Sequence, residues 1–219
     1  MSSARYRWTS LFSLPSVIVL LSTLLVGSVV SNAQLKHWTE TSSETLWRGR
    51  YSNCDHGYVV HLPVGVVGHD SLPPLPNHGI LISPENPGTT DEVTLEASRV
   101  LTVYDSSDAA EIGSAKGYLE QYDLKPRQSS EDVKILTEMV TRFRGAPAIY
   151  VHLRRKDGNR TSEVDELVIY RKPRNIGPQF NVIELITTPE SYLHDHALFV
   201  QIEDGLRFIP VPRGECSND

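Results

Sequence analysis

Residues 133–171 read VKILTEMVTRFRGAPAIYVHLRRKDGNRTSEVDELVIYR, and residues 180–187 continue in the same manner as FNVIELIT. Across Asp132–Thr187 this predicts four consecutive strands. Val133, Ile135, Thr137, Met139, Thr141 and Phe143 recur at every second position, so they are expected to share one face of the first strand. Gly145-Ala146-Pro147 turns the chain and Ala148–Arg155 returns it. Lys156-Asp157-Gly158-Asn159 is a second turn, with turn formers at each central position. Glu163–Arg171 and Phe180–Thr187 follow, separated by a Pro/Gly loop. Strands joined by such short turns pair as an antiparallel meander.

Working outward, Tyr58, Val60 and Leu62 alternate after a turn at Asn53–Gly57 that carries Cys54. Pro63–Pro87 is rich in Pro, Gly and His and reads as a long connection with one short strand at Gly79–Ser83. Glu92–Tyr104 reads as a strand. Ser106-Ser107-Asp108 then suits a helix cap, followed by Ala109, Ile112, Ala115, Leu119 and Tyr122 at helical spacing up to Lys125-Pro126. Gly113 and Gly117 weaken that helix by about 1 kcal/mol each relative to Ala. Thr188-Pro189-Glu190 opens a last helix, with Leu198, Phe199, Ile202, Leu206 and Ile209 as its apolar stripe. The element order predicts an α+β fold, an antiparallel β-sheet flanked by helices. It forms one domain over 51–210, between a polar leader at 34–50 and a C-terminal tail at 211–219.

Residues 1–33 read as an export signal. Arg5 and Arg7 precede an uncharged run from Leu11 to Val30, and Ser31-Asn32-Ala33 offers small residues for cleavage before Gln34. The alternative is an uncleaved membrane anchor, since about 20 apolar residues span a bilayer. Pro15, Gly27 and five hydroxyl residues dilute the run and favour cleavage. Either way the body faces away from the cytoplasm, secreted or periplasmic, and touches the membrane only through this segment. The chain has 219 residues and a formal charge of −6; without Arg5 and Arg7, 27 acidic face 19 basic residues, or −8. That balance argues against nucleic acid as a partner and leaves an unknown protein or small ligand. The chain's two cysteines, Cys54 and Cys216, are expected to pair as a disulfide in an oxidising compartment. Two buried thiols, or a bond to another chain, are the alternatives.

The pieces Tyr51-x-Asn53 and Gly57-Tyr58-x-Val60-x-Leu62-Pro63-x-Gly65 resemble the opening of the PsbP-like superfamily. Arg144-Gly145-x-Pro147-Ala148 resembles that family's turn before a sheet strand. Val66 departs from the pattern, in which an aromatic commonly follows Leu-Pro-x-Gly, and the His/Pro loop at 69–78 has no counterpart. The resemblance implies an αβα sandwich and a non-enzymatic binding role. It transfers no functional residue and no cofactor.

No catalytic residue is assigned, and the chain is read as a binding module rather than an enzyme. Ser114 lies in a predicted helix without the strand-turn-helix context of a hydrolase nucleophile. Cys54 beside Asp55-His56 would be silenced as a thiol by a disulfide. His194-Asp195-His196 has the wrong helical spacing for a metal pair and reads as an exposed polar face. The alternative to a binding module is an extracytoplasmic metal-binding protein or enzyme using the His56–His78 region. His56, His61, His69 and His78 supply imidazoles there without a spacing that sets a geometry. Asn159-Arg160-Thr161 matches a glycosylation acceptor in an exposed turn. Pro73-Pro74-x-Pro76 reads as a stiff loop or a polyproline docking element.

Overall fold

The computed structural model describes residues 45–70, 78–106, 109–124 and 133–211. The strands are β1 (Thr45–Arg48), β2 (Arg50–Asn53), β3 (Tyr58–His61), β4 (Val67–Asp70), β5 (Gly79–Ile82), β6 (Val100–Ser106), β7 (Val133–Phe143), β8 (Ala146–Asp157), β9 (Arg160–Arg171), β10 (Gln179–Thr187) and β11 (Leu206–Phe208). The helices among the described residues are α1 (Ala109–Ile112), α2 (Ala115–Leu119), which runs into a π turn at Glu120–Leu124, and α3 (Tyr192–Gly205). Eight strands form one sheet in the order β1-β4-β5-β6-β10-β9-β8-β7, and three form a second in the order β11-β3-β2. Every pairing is antiparallel. The architecture is therefore α+β, mostly antiparallel sheet with a few helices.

The meander depends on two tight hairpins. β7 and β8 meet through Arg144-Gly145, with Phe143 opposite Ala146 and both loop residues at positive φ, 49° and 86°. That is a type I′ turn, whose twist matches the strands it joins. Arg144 tolerates the left-handed conformation because its guanidinium is anchored, Nε donating to Leu206 O at 2.7 Å and Nη2 to Asp204 O at 3.1 Å. The same bonds satisfy carbonyls at the end of α3, where a cation is favoured. β8 and β9 meet through Gly158-Asn159, with Gly158 at positive φ in the first central position.

Alternation along the strands builds separate cores. Ile80, Ile82, Leu101, Val103, Leu167, Ile169, Ile183 and Leu185 pack with Tyr51, Tyr58 and Val60 of the small sheet and with Leu198, Phe199 and Ile202 of α3. Their alternate neighbours, including Ile149, Val151, Leu153, Val168 and Val182, pack with Ala109, Ala115, Tyr118 and Leu119. Each large side chain buried in this way contributes about 1.5–3 kcal/mol.

Several expected boundaries move, for physical reasons. The polar leader of 34–50 contains β1 and the first residue of β2, because Trp47 packs on the main core. A short strand, β4, interrupts the connection after Pro63. The strand expected from Glu92 begins only at Val100; Val93 is instead a plug against Leu81. The single helix after Ser106 is two short ones, because Gly113 adopts φ +77° and Ser114 recaps the chain by accepting from Gly117 N at 3.0 Å. The one-face reading of β7 fails at a bulge between Ile135 and Thr137. The extra residue moves Val133 and Ile135 to the opposite face from Thr137, Met139, Thr141 and Phe143. The last helix starts at Tyr192, after a turn in which Ser191 N donates to Thr188 O. Its stripe ends at Ile202, and Leu206 belongs to β11. The segment 1–33, Pro73–Pro76, Ser107-Asp108 and residues 212–219 with Cys216 lie outside the described residues. No described helix is long and apolar enough to cross a membrane.

Candidate functional site

Of the four histidines in the expected region, the fold gathers two. His56 closes the β2–β3 turn, and its amide donates to Asn53 Oδ1 at 3.1 Å. His78 directly precedes β5, where its carbonyl accepts from Asp105 N. Both imidazoles converge on Asp105 near the end of β6. His56 Nδ1 lies 2.6 Å and His78 Nδ1 3.7 Å from the same oxygen, Asp105 Oδ2. The Asp105 side chain is fully buried, whereas the two rings are 25% and 32% exposed. The carboxylate beside it, acting against the effect of burial, raises the His56 pKa above its ordinary value. Asp105 Oδ1 accepts from Asn53 Nδ2 at 3.3 Å, and Gln179 Nε2 donates to His56 O at 2.6 Å. Arg171 directs Nη1 to Gly57 O and Asn181 Oδ1 and lies over the Phe208 ring at 3.9 Å. Desolvation lowers its pKa to about 10. His61 is exposed, and buried His69 contacts Thr89 O at 3.1 Å; neither joins the cluster.

A second polar group pins α3 to the sheet. Asp165 of β9 is buried and accepts from Tyr150 OH at 2.7 Å and Tyr192 OH at 3.2 Å, while His196 Nδ1 lies 2.6 Å from its other oxygen. Burial and the carboxylate push the Tyr192 pKa up to about 12. Beside this group runs a groove of about 340 Å³ between α3 and β7–β8. Its lining is chiefly apolar, with Met139, Phe143, Tyr150, Leu167, Phe199 and Val200; His196 and Glu203 add polar edges. Burial and the neighbouring Asp204 raise the Glu203 pKa.

The groove borders β7, on whose outer side no strand pairs among the described residues. β7 is the last strand in the order and eleven residues long. In the two-residue hairpin, Phe143 and Ala146 form the hydrogen-bonded pair, so backbone groups of Phe143, Thr141 and Met139 point to β8. Those of Arg142, Val140 and Glu138 point outward. Pro147, opposite Arg142, has no N–H to offer and agrees with that assignment. Val140 is 75% and Met139 52% exposed. Between the bulge and the hairpin, residues 137–143 form a regular, partly apolar edge, which is a template for another strand.

Other expected residues have structural tasks. Asp195, read as part of an exposed face, is buried and held by Arg99 through two bonds of 2.8 and 2.7 Å. The reason is its helical position, three, four and seven residues before Leu198, Phe199 and Ile202. Ser114 is a helix cap, and Asn159 is exposed in the β8–β9 turn. Cys54 lies in the β2–β3 turn as expected. Asp105 and Asp165 escaped the sequence reading, although both occupy core-facing positions of apolar strands.

No protein-family model matches the sequence, and no curated protein matches it either. Solved structures do. The cyanobacterial PsbP protein CyanoP from Synechocystis matches at 17% identity and a TM-score of 0.48, over 78% of this chain and 95% of that one. PA94 from Pseudomonas aeruginosa, a protein of unknown function described as a putative regulator, matches at 12% and 0.45, over 78% and 99%. LpqN, involved in cell envelope biogenesis of Mycobacterium tuberculosis, matches at 9% and 0.44, over 78% and 88%. The function is argued below from this chain's own residues.

Proposed function

We propose that this chain is an exported, non-enzymatic accessory module with an αβα sandwich architecture, and that it binds a partner polypeptide by strand addition at β7. The observation that carries this reading is the outer side of β7, which no other described strand covers. Outward backbone groups at Glu138, Val140 and Arg142 can continue the ladder, while the α3 groove accepts apolar side chains from the added strand. Charge complementarity specifies the occupant. An antiparallel strand should place an acidic residue opposite Arg142, an apolar one opposite Val140 and a basic one opposite Glu138. A second copy satisfies that pattern only when centred on Val140. In that register pairing covers 138–142 and then meets the Leu136 bulge facing the partner's Arg144 turn. Centred on Glu138, it would set Glu138 against itself. Five paired residues fall short of the interface of about 1,000 Å² that a stable dimer needs, so a separate polypeptide suits the edge better.

Selection of extended peptides on the full chain is expected to enrich an acidic-x-apolar-x-basic pattern. Val140→Pro removes an outward N–H without touching the β7–β8 ladder. It should weaken the selected peptide by at least about tenfold, the effect of one hydrogen-bonded strand contact or more, with the folded structure retained. Exchanging the charges, Glu138→Arg with Arg142→Glu, should reverse the peptide's preferred polarity. Unchanged binding in Val140→Pro would overturn the reading. So would a concentration-dependent dimer abolished by it, which would give the edge to a second copy.

Export and the disulfide belong to the same proposal. Ile209 N donates to Gly57 O at 3.0 Å, and a side chain at Gly57 would meet Val211 Cγ2 at 2.7 Å. The C-terminal segment therefore leaves the described structure beside the turn that carries Cys54. Five further residues reach as far as about 17 Å, sufficient to bring Cys216 to Cys54. The intact mass of the exported protein should correspond to a chain starting at Gln34 and lacking two thiol hydrogens. Reduction should lower its stability by about 3–5 kcal/mol. A mass that retains residues 1–33 or both thiols would refute that part.

A further inference from the structure

We infer that His56, His78 and Asp105 form a binding site for a divalent transition-metal ion of the zinc type. Three donors of the right chemistry, two imidazole nitrogens and one carboxylate oxygen, lie within 4.8 Å of one another. They come from three separate places: the β2–β3 turn, the residue before β5, and β6. Both imidazoles present Nδ1 to the same oxygen. That oxygen, Asp105 Oδ2, belongs to a fully buried side chain, and His56 Nδ1 stands 2.6 Å away.

The fit to a metal is geometric as well as chemical. Ligands at about 2.0–2.2 Å around a tetrahedral zinc ion stand about 3.3 Å from one another. The two nitrogen-to-oxygen separations, 2.6 and 3.7 Å, straddle that value. Side-chain rotations of about 1 Å would equalise them, and both rings are partly exposed and free to make such rotations. Their exposed side leaves the fourth position to water, so the ion would be exchangeable rather than sealed. The surrounding bonds are those a metal site uses to orient its ligands. Asn53 holds Asp105 Oδ1 and the His56 amide, and Gln179 holds the His56 carbonyl. Arg171, the nearby cation, is occupied with Gly57 O and Asn181 Oδ1. Nitrogen donors favour zinc or copper(II) over magnesium or calcium, which prefer oxygen.

The site lies apart from the β7 edge, and the two proposals fail separately. The test titrates Zn²⁺ by calorimetry into the full chain, first stripped with chelator. The expected result is a single ion per chain, not displaced by excess Mg²⁺. His56→Gln and His78→Gln alter partly exposed rings, so both should fold and should each weaken Zn²⁺ by at least about tenfold. His61→Gln, at an exposed histidine outside the cluster, should bind as the parent does. Co²⁺ in place of Zn²⁺ should give a tetrahedral visible spectrum that His78→Gln abolishes. Peptide binding at β7 should survive His78→Gln. No saturable Zn²⁺ binding, or binding unaffected by His56→Gln and His78→Gln, would overturn the inference.

Discussion

Asp195→Asn should remove about 3–5 kcal/mol of stability, the usual consequence of breaking one partner out of a buried ion pair. Asp195 has no exposed surface, and its two oxygens receive Arg99 Nε and Nη2, the Thr187 hydroxyl and a contact from His194 Nδ1. This is where the first turn of α3 joins the segment before β6 and the end of β10. Removing the charge leaves the Arg99 guanidinium facing a neutral amide with half its acceptors replaced by donors. Denaturant unfolding should show a lower midpoint with an unchanged slope, the mark of lost stability rather than altered compactness. The double variant Arg99→Met with Asp195→Leu should be less destabilised than the two single effects sum to, because neither charge is then stranded.

The same residue gives a pH dependence of definite sign. Burial pushes its pKa up, but hydrogen bonds from Arg99, His194 and Thr187 more than offset that, so it lies below the ordinary aspartate value. A depressed folded-state pKa means that its stabilisation is complete above the unfolded-state value. It is lost as pH falls through the folded-state value. The stability difference between parent and Asp195→Asn should therefore be constant near neutrality and shrink below about pH 4. A difference that grows with acid would contradict the assignment.

Asp195 also shows why the site was harder to read than the fold. Hydrophobic alternation between two clear turn signals revealed the meander of β7–β10, because period and turn chemistry are both local. The bulge at Leu136 was not legible, since it is imposed by pairing with β8. The break at Gly113 was visible as a weak helical position, but its outcome depended on Ser114 recapping the chain. The buried carboxylates have a signal that alternation contains and a hydropathy reading passes over. Asp105 continues Leu101 and Val103, Asp165 precedes Leu167 and Ile169, and Asp195 precedes Leu198, Phe199 and Ile202. Each is a charge in the core-facing register of its element. Ending the strand at Tyr104 concealed the first. The convergence of His56 with His78 could not be foreseen, because it depends on the long connection between β3 and β5.

Gly205→Ala should destabilise the protein by about 2–3 kcal/mol or more, against the direction that helix propensity predicts. Gly205 ends α3 at a φ that an L-residue can adopt, since it is not among the positive-φ glycines. By propensity alone, alanine would stabilise such a position by up to about 1 kcal/mol. The environment decides otherwise. A Cβ placed there would overlap the His61 carbonyl oxygen and press on the His61 carbonyl carbon as well. These are backbone atoms at the end of β3, and β3 is held between β2 and β11, so they cannot swing aside as a side-chain tip would. The structure must separate α3 from the small sheet, and overpacking of this kind usually costs about 1–3 kcal/mol before the lost propensity gain is counted. The movement would also reach the groove, because Phe199, Val200 and Glu203 line it from the same helix. Gly205→Ala should then reduce peptide binding at β7 even where the chain remains folded, while Zn²⁺ affinity at His56 and His78 stays close to the parent value. Thermal unfolding together with the two binding titrations checks all three outcomes. A variant as stable as the parent would show that β3 yields where its backbone contacts imply it cannot.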